Sequence, residues 1–135
     1  MVQFQHLLQT YQVADVMRTD FTILPAGTNV REVEQLIRHG LEKDFLVMND
    51  NDESINYLSQ VAFYKALKLK QFTQLVGVIA RPVPTRLNPS ESLEEVYMKM
   101  QEYQLNILPV FVEDTNLVGV VDVSSLNHFL HRLKK

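Results

Sequence analysis

Blocks of apolar and polar residues follow one another along this chain in an order that occurs twice. In the first half a short strand over residues 22–24 passes through a turn, Pro25-Ala26-Gly27, into a helix. There Val30, Val33, Leu36 and Ile37 fall at helical spacing, and Gly40 stops it. The apolar run Phe45-Leu46-Val47-Met48 predicts a strand covered on both faces, and the polar run 49–53 a hairpin turn into a second strand over 55–58. The second half reads alike. A strand over 85–87, the turn Asn88-Pro89-Ser90 and a helix with Leu93, Val96, Met100 and Tyr103 on one face lead to a buried strand over 107–112, a turn over 113–116 and a strand over 117–121. Ser59 and Ser124 are the expected caps of two further helices, 60–70 and 125–133, and a short helix, 12–17 or 73–80, precedes each copy.

Sliding the chain against itself makes the duplication explicit. At an offset of 63, Val13-Ala14-Asp15-Val16-Met17-Arg18 falls on Val76-Gly77-Val78-Ile79-Ala80-Arg81, Leu24 on Leu87 and Val47 on Val110. Asn29 with Glu32 falls on Ser92 with Glu95, so both copies open a helix with a capping residue followed three positions later by Glu. After the acidic turn the offset becomes 65, with Leu117-Val118 as the extra residues, which pairs Ser54-Ile55 with Gly119-Val120 and Ser59 with Ser124. The chain therefore divides into an N-terminal extension, 1–11, and two repeats, 12–72 and 73–135.

Composition narrows the function classes. Of 135 residues, 46% are hydrophobic and 21% charged, the values of an ordinary globular domain. The absence of Cys excludes thiol nucleophiles, zinc ribbons and disulfide frameworks. A net charge of −3, with Lys and Arg spread along the chain, argues against nucleic acid as a partner. No apolar run approaches the ~20 residues needed to span a bilayer, and residues 1–12 lack the features of a secretory signal, so a cytoplasmic location is expected.

The order strand, helix, strand, strand, helix, twice over, resembles a tandem pair of cystathionine β-synthase (CBS) domains. The resemblance rests on Val13-Ala14-Asp15-Val16-Met17, similar to the family's opening motif, on Leu108-Pro109-Val110, similar to its h-P-V strand, and on Leu117-Val118-Gly119-Val120-Val121, similar to its l-x-G-h-h strand. It implies an α+β (α/β) fold of two β-α-β-β-α repeats related by pseudo-twofold symmetry. It also implies a regulatory module that senses a small ligand or mediates homodimer contacts for a catalytic or transport partner. Segments around Val16 to Thr22, Glu42 to Val47 and Arg81 to Thr85 are further similar to CBS pairs appended to bacterial site-2-protease-type membrane zinc metalloproteases, which makes a structural dimerisation tail of such a protease the alternative. The His-Glu-x-x-His signature of the protease itself is absent from the chain.

No catalytic constellation emerges. His128 and His131 stand three apart on the last helix but lack further ligands, so no metal is expected, and Asp50-Asn51-Asp52 lacks the Gly and Glu of a calcium loop. There is no nucleophile elbow and no Gly-rich phosphate loop. We therefore expect no enzyme.

The resemblance directs attention to the family's cleft between repeats and its signature G-h-x-T/S-x-x-D, whose Asp accepts hydrogen bonds from the ribose hydroxyls of an adenosine nucleotide. At the offset of 65, Tyr57 and Gln60 occupy the hydroxyl and carboxylate positions of the first copy, and Asp122 and Ser125 those of the second. The candidate ligand residues are thus Thr22, Tyr57, Ser59, Gln60, Thr85, Asp122, Ser124 and Ser125. Without the ribose carboxylate, and with Asp122 beside the anionic end of a ligand, AMP, ADP and ATP are expected to bind weakly or not at all, and no resident cofactor is expected.

Two expectations concern packing. Leu108, Val110, Phe111 and residues 45–48 should be core, and Val61, Ala62, Phe63, Tyr64, Ala66 and Leu67 nearly encircle their helix, as a helix with a second partner would.

Overall fold

The computed structural model describes residues 2–38, 44–49 and 54–133. Gly40 and the turn residues Asp50 to Glu53, including the calcium-like run, lie outside the described residues.

Two compact units account for the chain, and the first of them is residues 22–83. In it β1 (Ile23–Pro25), β2 (Phe45–Met48), β3 (Ile55–Leu58) and β4 (Arg81–Pro82) form a sheet in that order, with β1 parallel to β2 and the other pairs antiparallel. Along the whole chain the first five helices are α1 (Val2–Thr10), α2 (Val13–Val16), α3 (Val30–Arg38), α4 (Gln60–Lys68) and α5 (Val76–Ile79), of which α3, α4 and α5 belong to this unit. α3 begins with the expected reciprocal cap: Glu32 N–H donates to Asn29 Oδ1 (2.9 Å) and Asn29 N–H to Glu32 Oε1 (3.3 Å). Leu24, Val30, Val33, Phe45, Val47, Leu58, Phe63, Ala66 and Val76 make one buried core. Burying such side chains contributes roughly 1.5–3 kcal/mol each.

The second unit joins residues 1–21 to 84–135. It holds α1, α2, α6 (Leu93–Tyr103), β5 (Ile107–Val112), β6 (Asn116–Asp122) and α7 (Val123–Leu133). Ser92 caps α6 by accepting from Glu95 N–H (3.3 Å), and Lys99 ties that helix to the preceding turn through Glu91 and the Arg86 carbonyl, both at 2.8 Å. The expected core residues Leu108 and Val110 are buried, as are Phe45, Leu46 and Val47, while Phe111 and Met48 at the strand ends are half-buried. Where a strand was expected over 85–87, a single parallel bridge, Leu87 to Val110, occurs. Pro84 and Pro89 on either side of it lack the N–H groups a longer ladder needs.

The short helix before each copy joins the body of the other copy. Val13 N–H donates to Glu91 O (2.8 Å), Ala14 N–H to Pro89 O (3.0 Å), and Arg18 exchanges two backbone bonds with Val120. The second leader repeats this in the other unit: Val76 N–H reaches Thr28 O (2.7 Å), Gly77 N–H reaches Ala26 O (3.0 Å), and Arg81 pairs with Tyr57. Every one of these correspondences keeps the offset of 63.

That register corrects the expected shift to 65. Phe45 pairs with Leu58 and Val47 with Asn56 in the first copy, as Leu108 pairs with Val121 and Val110 with Gly119 in the second. The hairpins are equally long but differ in pairing near the turn: Met48 pairs with Ile55, whereas Phe111 pairs with Leu117 and leaves Val118 as a bulge before Gly119. Among the described residues, no helix is long and apolar enough to cross a membrane.

Candidate functional site

The junction of β6 and α7 in the second unit carries a polar cluster built on Asp122. Asp122, not Ser124, caps α7. Its Oδ1 accepts from Ser125 N–H (2.7 Å), and Asp122 N–H donates back to Ser125 Oγ (3.2 Å), so the two residues form a reciprocal cap of Asp-x-x-Ser type. Ser124 stands exposed in the first turn. Serine was the natural expectation for a cap, but the helix begins two residues earlier than its apolar spacing indicated.

The other oxygen of Asp122 is held by Arg18, whose Nη2 lies 2.7 Å from Oδ2. Side-chain exposure of 28% for Arg18 and 13% for Asp122 makes this a partly shielded pair, stronger than a solvated surface contact. The carboxylate expected to repel an anionic ligand is therefore matched by a guanidinium. Arg18 also donates to Asp20 O (3.2 Å), which fixes the end of the first leader.

In the first unit the equivalent junction is β3 to α4. Ser59 is the cap, as expected, accepting from Ala62 N–H at 3.1 Å. With the register at 63, Ser59 and not Tyr57 takes the hydroxyl position of the motif, and Ala62 and not Gln60 the carboxylate position. Tyr57 is a half-buried strand residue opposite Leu46, and Gln60 Nε2 donates to Asp44 Oδ1 (3.3 Å). The carboxylate position is thus Ala62 in one copy and Ser125 in the other.

The eight expected residues divide evenly. Thr22, Tyr57, Ser59 and Gln60 belong to the first unit, and Thr85, Asp122, Ser124 and Ser125 to the second. Hydrogen bonds bring Asp122 and Ser125 together. Thr22 and Ser124 are exposed and Thr85 half-buried. Sequence reasoning missed Arg18 and Asp44. The signal for Arg18 was its recurrence as Arg81 at the same repeat position. Among the described residues no group of three or more His, Asp or Glu side chains is placed to hold a metal ion, and His128 and His131 are both exposed.

Comparison with known proteins places these junctions in a family. The CBS domain matches twice, over residues 13–68 and 75–132. A homoserine O-acetyltransferase of Methanosalsum zhilinae is 24% identical over 123 residues, which is 91% of this chain and 25% of that protein. The chain thus spans about a quarter of the curated relative it matches. Among solved structures, CBSX2 in complex with AMP is 21% identical with a TM-score of 0.73, covering 93% of this chain and 99% of the other. The CBS domain pair of protein MJ0100, in complex with 5′-methylthioadenosine and S-adenosyl-L-methionine, is 18% identical with a TM-score of 0.74, covering 92% and 98%. With both halves matched, their caps in register and the same architecture in solved relatives, this chain belongs to the CBS domain family and is a tandem CBS pair.

Proposed function

We propose that this CBS pair is a regulatory module that senses a small adenosine-class ligand for a catalytic partner and acts as a homodimer. The observation that carries the reading is the double CBS match across nearly the whole chain. AMP in CBSX2 and 5′-methylthioadenosine with S-adenosylmethionine in MJ0100 support the ligand class. The homoserine O-acetyltransferases, of which the chain matches about a quarter, support a larger catalytic partner. Binding is weak in this proposal. Ala62 and Ser125 offer no carboxylate to a ribose, and each hydrogen bond not replaced costs ~1–3 kcal/mol, enough to move a micromolar site toward ~1 mM.

Calorimetric titration of the purified chain with AMP, 5′-methylthioadenosine and S-adenosylmethionine tests the reading. Saturable heat with at least one of them below about 1 mM supports it. No heat from any of the three, together with an unchanged melting temperature, overturns ligand sensing and favours a structural dimerisation module. The metalloprotease-tail version of that module finds no support in the relatives described above. Oligomers do occur in the fold: a CBS-CP12 protein of 18% identity and TM-score 0.73 is hexameric.

A further inference from the structure

The two leaders make the same backbone bonds to the two bodies, yet their side chains are not interchangeable. At the second position of the helix the first leader has Ala14 and the second has Gly77. A Cβ placed on Gly77 would stand 2.7 Å from Ala26 Cβ and 3.0 Å from Ala26 O. Neither atom belongs to a flexible side chain, so backbone must shift to admit it. In the other unit the corresponding carbonyl is that of Pro89, and Ala14 seats there with the same 3.0 Å hydrogen bond that Gly77 makes.

The mismatch recurs at the other end of the leader. Met17 lies against Gly119, where an added Cβ would meet Arg18 O at 2.9 Å and Met17 Sδ at 3.1 Å. The second leader has the smaller Ala80 at this position, and its body has Asn56 where the other has Gly119. The body with a glycine takes the leader with Met17. The body with the larger residue takes the leader with alanine.

We infer that Gly77 against Ala26 and Gly119 against Met17 form a steric key that assigns each leader to its body. The first leader cannot seat on residues 22–72 without a backbone shift, because the Cβ of Ala14 would meet Ala26 Cβ and O; Met17 would also face Asn56 there in place of Gly119. On the wrong groove the second leader leaves the space beside Gly119 unfilled and puts Ile79 where Val16 is buried, so its packing there is poorer. Excluding one wrong pairing suffices, since the second leader then has only the remaining body. The partner that each groove selects is thus a defined segment of the chain, whether supplied by the same molecule or by a second copy.

A thermal-melting cycle on the full chain tests the key. Gly77→Ala should lower Tm by roughly 5 °C or more, and adding Ala26→Gly should recover part of that loss, although Ala26→Gly alone gives no gain. If Gly77→Ala fails to fold, recovery of a cooperative transition in the double variant is the readout. A second variant interchanges residues 13–17 with 76–80. It should melt below the parent and regain stability with Ala26→Gly. A Gly77→Ala protein within 1 °C of the parent, a double variant no more stable than Gly77→Ala, or an interchanged chain as stable as the parent overturns the inference.

Discussion

Asp122 and Arg18 meet at 2.7 Å across 104 residues of sequence, joining the end of the first leader to the start of α7. The same carboxylate caps the helix through its second oxygen, so one side chain carries two tasks that can be separated by substitution. Asp122→Asn keeps a good cap and loses the ion pair, whereas Asp122→Ala loses both. We expect a loss of about 1 kcal/mol for the first and about 2–3 kcal/mol for the second, measured by urea denaturation. Equal losses would mean that the cap contributes nothing.

Ser59 and Ser124 look equivalent in sequence, but only Ser59 caps a helix. Ser59→Ala should cost about 1 kcal/mol, and Ser124→Ala, at an exposed site, should stay within ~0.5 kcal/mol of the parent. Thermal melts of the two variants side by side decide the point.

Val110 is fully buried in β5. Val110→Asp places a carboxylate there without a partner, costs several kcal/mol and unfolds its unit. A soluble variant with the parental melting temperature would contradict the burial.

Burial raises the pKa of the half-buried Tyr97 phenol above its ordinary value of 10.0. Because the folded protein holds this proton more tightly than the unfolded chain, the stabilising contribution is complete below pH ~10 and is lost as pH rises through the folded-state value. Ultraviolet titration should show a tyrosine component above the ordinary range, and Tyr97→Phe should remove it and flatten the alkaline fall in stability.

Val61 and Tyr64 on α4 are 79% and 52% exposed, the positions that the proposed homodimer would cover. Light scattering should give twice 15.7 kDa for the parent and 15.7 kDa for a Val61→Lys, Tyr64→Lys variant. A monomeric parent at high micromolar concentration rules the dimer out.

The local elements were largely legible because their signals are local. The bounds of β2 and β3 follow from apolar runs between turn residues, and the Asn29–Glu32 cap from side chains that reach their own backbone. The remaining features depend on distant partners. Arg81–Pro82 does not read as a strand, having neither apolar character nor a free N–H at Pro82, and becomes β4 only because β3 presents an edge to it. The site was displaced by two residues in the first copy because sequence matching set Ser54 against Gly119, whereas Asn56 is the residue that pairs like Gly119. Hydrogen-bond register, which sequence matching does not contain, restores the offset and moves the motif from Tyr57 and Gln60 to Ser59 and Ala62.

The reciprocal placement of the leaders has a consequence for how the gene can be cut. Neither repeat is a portable cassette: severing the chain between residues 72 and 73 takes β4 and the core residue Val76 from one half and strands them in the other. Fragments divided at the visible repeat boundary would each carry a tail suited to the other's body, so mixing them should reconstitute what neither half sustains alone.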